Sequence, residues 1–360
     1  MRKAMLYEGL RGGGVRCKLC AHRCSVPTGD RGFCRVRENR DGVLYSLVYG
    51  LVIAQAVDPI EKKPLFHFLP GSKSYSIATP GCNFRCSFCQ NAEISQLPRF
   101  AQLETRETTT PERVVAAAQS QGCRSIAYTY TEPTVFFEFA YDTMQAAREA
   151  GLANVWVTNG YMTPECIDLL APPDGSGRLL DAANVDLKAW DDAFYRHYAR
   201  ARLEPVLESM KLLKRRGVWL EVTTLVIPGL NDGEPGLRGM ARFIRDELGA
   251  ETPWHLSRFH PTFELIDRPP TPAATLQHAR EIALSEGLKH IYVGNLPGQG
   301  DEDTVCAACG HALVRREGYR ILSRSLVNGR CPNCGAPAAG VWDTGATGTS
   351  ARPLQHRSPQ

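Results

Sequence analysis

No stretch of this 360-residue chain approaches the roughly 18 consecutive apolar residues that a membrane-crossing helix needs. Its opening, MRKAMLYEGLRGGGVRCKLC, has no apolar run of signal-peptide length. A soluble, cytoplasmic protein is therefore expected. Charge of one sign is also lacking: 42 Lys and Arg stand against 38 Asp and Glu, a formal net charge of +4, and the basic residues are scattered. That balance removes the electrostatic case for a nucleic-acid or anionic-membrane partner. No internal repeat is visible. A further absence is local: GCNFRCSFCQN, residues 81–91, has three cysteines and no fourth nearby.

What is present fits a globular chain with one large domain of barrel or doubly wound size and one or two small satellites, since 43% of its residues are apolar. Eleven of the 13 cysteines fall into three tight groups, which in a reducing compartment points to metal rather than disulfides. The groups are Cys17, Cys20, Cys24 and Cys34; Cys82, Cys86 and Cys89; and Cys306, Cys309, Cys331 and Cys334. Cys123 and Cys166 stand alone and read as small core hydrophobes.

Between Ser76 and about Asn295, short β-branched runs alternate with longer amphipathic ones. Strands are expected over 75–79, 125–129, 154–158, 183–188, 219–227 and 254–259. Helices are expected between them. Thr110 before Pro111 opens one and Gly122 closes it; others end at Gly151, Gly217 and Gly287. Six strands each followed by a helix imply parallel βα units, hence an α/β fold built as a partial or complete barrel, with an open doubly wound sheet as the alternative. Residues 1–70 then form an N-terminal module with a cysteine cluster and a β-hairpin. Residues 71–298 form the barrel, 299–343 a second cysteine module, and 344–360, polar and rich in small residues, a disordered tail.

Cys82, Cys86 and Cys89 follow the first expected strand directly, at the strand edge where parallel α/β folds collect their active sites. Three thiolates can hold three irons of a 4Fe-4S cubane and leave the fourth iron open, as a catalytic metal site does. An open iron can chelate the amino and carboxylate groups of S-adenosylmethionine. Lys188, with Asp186 to orient it, can reach ribose hydroxyls or that carboxylate, or can form an ordinary ion pair at a barrel rim. Asn159 with Gly160 is either ligand chemistry or a turn.

The two other groups have four cysteines each. Cys306-x2-Cys309 and Cys331-x2-Cys334, 21 residues apart and each followed by glycine, have the spacing of a zinc ribbon. About 40 residues hold too little core to fold alone, so a structural zinc would supply much of the stability. The segment between the pairs is only moderately basic, and nucleic acid is not expected there. Cys17, Cys20, Cys24 and Cys34 suit zinc or an auxiliary iron–sulfur cluster equally by spacing. His22 among them reads as a surface residue.

The C-x3-C-x2-C spacing with Phe88 before the last cysteine resembles the radical SAM superfamily, whose motif follows the first strand of a (β/α)6 partial barrel. The resemblance implies a 4Fe-4S cluster, S-adenosylmethionine and a one-electron reductant such as flavodoxin or ferredoxin. YTEP puts Glu132 where relatives receive the methionine amino group, with Tyr130 and Thr131 replacing two glycines. VTNG and DLK are similar to segments of glycyl-radical-enzyme activases, which makes Thr131, Glu132, Asn159, Asp186, Lys188 and His260 the implied cofactor contacts. Those activases hold a monovalent cation with an Asp where this chain has Val157. IPGLND, residues 227–232, resembles an activase loop. Over residues 15–343, CKLCAHRCSVPTGDRGFCRVREN, DPIEKKPLFHFLPGS, YTYTEPTVFFEFAYD, YVGNLPG and the terminal cysteine module resemble the AmmeMemoRadiSam system radical SAM enzyme. Memo-type and AMMECR-type proteins are the partners this implies; Ala21 stands where proline is usual. Three functions remain in competition: a SAM-cleaving enzyme that takes hydrogen from an unknown substrate, a glycyl-radical-enzyme activase, and a zinc-rich binding scaffold.

Overall fold

Short runs in which nearly every side chain is buried form strands covered on both faces. In the computed structural model, which describes residues 1–103, 107–296 and 302–342, these are β2 (Lys73–Ala78), β3 (Ser125–Tyr128), β4 (Ala153–Thr158), β5 (Ala182–Asp186), β6 (Trp219–Val226), β7 (Trp254–Arg258) and β8 (Ile291–Gly294). They pair in parallel and in chain order. The six expected strands are all present. The seventh parallel strand, β8, is a four-residue run too short to stand out. One more strand, β1 (Ala54–Pro59), runs antiparallel to β2, with Ala54 opposite Ala78 and Pro59 opposite Lys73. Sequence placed 54–59 in the N-terminal hairpin; its alternating exposure is that of a sheet edge. β1 and β8 are the two edges of an eight-stranded sheet that does not close, a partial barrel.

Helices α1 (Pro111–Ser120), α2 (Phe137–Glu149), α3 (Pro164–Leu170), α4 (Leu203–Arg215), α5 (Glu234–Phe243) and α6 (Ala273–Ser285) connect the parallel strands. Thr110 and Thr163 cap α1 and α3, each accepting from the backbone N–H three residues on, with proline in the first turn. Ile60, Leu65, Phe68 and Leu69, after β1, pack against Ala127, Val155 and Ala182 of the strands in a separate small core.

The N-terminal residues form two three-stranded antiparallel sheets whose apolar side chains join the main core. Their chief polar tie is a buried ion pair: Arg37 donates two 2.9 Å hydrogen bonds to Glu138 of α2, and both side chains are 2% exposed. The C-terminal module is a three-stranded sheet, residues 304–324, with its cysteine turns. It docks where the strands begin: Leu69 N donates to Val341 O and Val341 N to His67 O, both at 2.7 Å, and Arg316 donates to Phe66 O at 2.7 Å. The tail expected over 344–360 and the boundary near 298 lie outside the described residues. Among the described residues, no helix is long and apolar enough to cross a membrane.

Candidate functional site

β2 delivers the chain to Gly81, whose φ of +100° and position against Val36 and Cys34 O leave no room for a Cβ, which would lie 2.6 Å from Val36 Cγ1. The cysteine loop that follows is pinned on several sides. Arg85 N and Ser87 N donate to Ala199 O and Tyr198 O, both at 2.9 Å. Those carbonyls sit in a widened helical turn, Tyr195–Ala199. The Arg85 guanidinium donates to Phe33 O at 2.7 Å and Cys82 O at 3.2 Å.

Cys86 is buried, and Cys82 and Cys89 are half-buried. Burial raises the Cys82 thiol, and burial pushes Cys86 up to about 12 although Lys188 opposes it. Thiols raised in this way, Cys82 and Cys86, ionise readily only when a cation takes the charge. Polar donors surround the sulfurs: Phe84 N lies 3.3 Å and Asn159 Nδ2 3.8 Å from Cys82 Sγ, and Ser95 Oγ 3.1 Å from Cys89 Sγ. Asn83 Nδ2, beside Cys82, is buried without a protein partner. Three thiols with unspent donors fit a cluster held at three corners.

The ends of β3, β4 and β5 bring up most of the other expected residues. Glu132 is 1% exposed, and its carboxylate accepts from Thr134 N at 3.0 Å, Thr134 Oγ1 at 2.5 Å, Thr158 Oγ1 at 2.7 Å and Asn159 N at 2.9 Å. Burial nevertheless raises its pKa. It thus fastens the turn carrying Asn159, whose Nδ2 donates to Asn83 Oδ1 at 2.7 Å. Thr131 Oγ1 donates to Thr79 O at the end of β2, and Tyr130 before it takes a left-handed φ of +63°. Lys188 Nζ lies 2.8 Å from Asp186 and 5.8 Å from the Phe88 ring centre. Burial opposes its charge, but Asp186 and the Cys86 thiol more than offset this and raise its pKa. Asn231 of the IPGLND loop donates to Lys188 O at 2.7 Å. His260 is exposed in the loop after β7, whose Glu264 N and Leu265 N donate to Ser87 O at 3.0 Å.

Sequence reasoning missed Asn83, Asn91 and Tyr195. Asn91 Nδ2 donates to Tyr130 O at 2.7 Å, and Tyr195 OH accepts from Lys188 N at 2.9 Å. The two asparagines flank the cysteine loop, a usable signal; Tyr195, seven residues past Lys188, had none.

The four C-terminal cysteines converge. Their sulfurs all lie within 4.8 Å of one another, with Cys306–Cys334 and Cys309–Cys331 at 3.7 Å, a small metal-binding module. Cys17, Cys20, Cys24 and Cys34 surround a cavity in the N-terminal module. His22, expected at the surface, is half-buried: Nε2 lies 2.7 Å from Asn83 O and the ring packs 4.3 Å from Phe33, because the module folds onto the cysteine loop.

The profile described as the radical SAM superfamily matches residues 76–237. The uncharacterized protein MJ0808 of Methanocaldococcus jannaschii is 49% identical over 337 residues, 93% of this chain and 98% of that protein. The pyruvate formate-lyase-activating enzyme of Clostridium pasteurianum is 20% identical over 171 residues, covering 48% of this chain and 69% of that one. The crystal structure of a radical SAM methyltransferase from Sphaerobacter thermophilus shares the fold, with a TM-score of 0.50 at 19% identity over 68% of this chain and 71% of that chain. The matched span runs from within β2 through the cysteine loop into α5, so β3 to β6 and the three thiols fall inside it, and the chain belongs to the radical SAM superfamily.

Proposed function

We propose that this protein is an enzyme of the AmmeMemoRadiSam system that holds a 4Fe-4S cluster on Cys82, Cys86 and Cys89, and cleaves S-adenosylmethionine reductively to abstract hydrogen from a substrate. The observation that carries it is the meeting, where the parallel strands end, of one buried and two half-buried thiols with Asn159 and the Asp186–Lys188 pair. Cys82, Cys86 and Cys89 would hold the cluster, which would supply the one electron needed to split S-adenosylmethionine into methionine and a 5′-deoxyadenosyl radical.

The chain's own groups bind and orient. Lys188, kept cationic by Asp186, binds the cofactor's carboxylate or ribose hydroxyls. Asn159 hydrogen-bonds the same ligand, and Glu132 holds Asn159 in register while remaining the acceptor for the methionine ammonium. Thr131 and His260 border the methionine end, with His260 at the exposed mouth. The C-terminal thiols take a structural zinc, whose tetrahedral edge of about 3.8 Å their 3.7 Å spacings suit. The electron comes from a flavodoxin- or ferredoxin-type reductant, and Memo-type and AMMECR-type proteins are partners. A reducing cytoplasm suits 13 cysteines that are all free thiols.

Anaerobic reconstitution with iron and sulfide, then dithionite and S-adenosylmethionine, should give 5′-deoxyadenosine and methionine. Cys86→Ala should abolish both at unchanged zinc content. A well-loaded sample that forms neither product ends the proposal. An activase is the second reading, favoured by the named C. pasteurianum relative; it requires a glycyl radical signal on a partner protein.

A further inference from the structure

The N-terminal cysteines lie outside the machinery above, and their geometry differs from that of the C-terminal four. One zinc ion binding four thiolates at about 2.3 Å sets the sulfurs about 3.8 Å apart. Cys306, Cys309, Cys331 and Cys334 meet that spacing; among the described residues, no other group of three or more Cys, His, Asp or Glu brings its ligand atoms within 4.8 Å of one another. Cys17, Cys20, Cys24 and Cys34 instead line a cavity with apolar walls from Leu19, Val26 and Val135. One zinc needs its four thiols at the closer spacing, whereas a cubane gives each thiolate its own iron and holds them farther apart.

The walls are prepared for an anion. Arg37 lines the cavity, is 2% exposed and uses its two Nη atoms on Glu138, while its Nε is buried without a partner. A buried donor of this kind calls for an acceptor. Phe33 N already donates to Cys24 Sγ at 3.5 Å, the amide-to-sulfur contact that accompanies cluster ligation.

We propose that Cys17, Cys20, Cys24 and Cys34 hold an iron–sulfur cluster closed by four thiolates, with Arg37 as its buried counter-charge. It backs directly onto the three-cysteine loop. Cys34 O and Val36 pack against Gly81, and His22, between Cys20 and Cys24, contacts Asn83 O at 2.7 Å. The two iron sites are neighbours, one closed by protein and one left with an open corner.

The test uses the full chain, reconstituted anaerobically, and does not depend on turnover. Cys82→Ala/Cys86→Ala/Cys89→Ala should keep about four irons and four sulfides per chain and give an electron paramagnetic resonance signal on reduction. Adding Cys17→Ser/Cys24→Ser should remove both. Wild type, which needs no altered residue to fold, should bind about eight irons and about one zinc. A triple variant without iron, or wild type that saturates at about four irons with about two zincs, overturns the proposal. Wild type with eight irons that fails to cleave S-adenosylmethionine sinks the function proposed above and leaves this site standing.

Discussion

Glu132→Gln tests whether a carboxylate organises the edge of the site. The side chain is buried, and four donors converge on it: Thr134 N, Thr134 Oγ1 and Thr158 Oγ1 on one oxygen, Asn159 N on the other. The hydroxyls can turn to accept from an amide; the two backbone N–H groups cannot. Either flip of the glutamine therefore orphans one buried N–H, at about 1–3 kcal/mol. The three surviving bonds fall from charged to neutral strength, about 1 kcal/mol each, and relief of a carboxylate that burial already disfavours offsets part of the loss. A net loss of about 2–5 kcal/mol is expected in anaerobic urea unfolding. S-adenosylmethionine affinity, measured by equilibrium dialysis, should fall with it as Asn159 leaves Cys82. A variant within about 0.5 kcal/mol of wild type would refute the reasoning, because it would mean that the native carboxyl is already uncharged and glutamine replaces it shape for shape.

In the cluster-free protein Glu138→Ala strands Arg37 as an unpaired buried charge and should cost about 3–5 kcal/mol in chemical unfolding, with the N-terminal module exchanging amide hydrogens first. Gly160→Ala forces a Cβ into a φ of +70° at 2.7 Å from Val185 Cγ1; strain of about 1–2 and overpacking of about 1–3 kcal/mol should add in the same assay. His67 and His290 are both held neutral, chiefly by burial, and His290 is pushed down to about 4. Unfolding frees them to take protons, so stability is full above about pH 6.5 and falls as pH drops toward 4, by about 1.4 kcal/mol per unit for each ring; His290→Asn should flatten part of that slope in pH-resolved unfolding.

The strands and the three-cysteine loop were legible because each rests on local pattern: alternating β-branched runs, caps such as Thr110-Pro111, and a cysteine spacing that no core needs. What escaped the sequence is long-range. β1 has the same alternation in a hairpin or at a sheet edge, and only its partner, β2, decides between them. His22 reads as exposed until the N-terminal module is laid over Asn83, a contact across 61 residues. Glu132 reads as a ligand contact, and that its carboxylate also accepts from Thr134, Thr158 and Asn159 is a set of contacts that letters alone cannot place.

The two satellite modules do different physical work because they attach to opposite ends of the same strands. The C-terminal one docks where the strands begin, through a continuous polar chain. Glu221 accepts from Phe66 N, His67 N and Trp219 Nε1 and meets His255 at 2.7 Å. His67 passes the contact to Tyr292 at 2.6 Å, Tyr292 to Thr304 at 2.8 Å, and Thr304 to Arg316 at 2.7 Å. All of these groups except Trp219 are buried, so the chain holds only if every member is present, and a metal fixing the module's turns would also fix this end of the barrel. The N-terminal module covers the opposite end, where Cys34 O and His22 touch the backbone on either side of Cys82. Whatever fills its cavity would set the position of the three-cysteine loop, whereas a metal on the C-terminal cysteines would act on that loop only through the length of the strands.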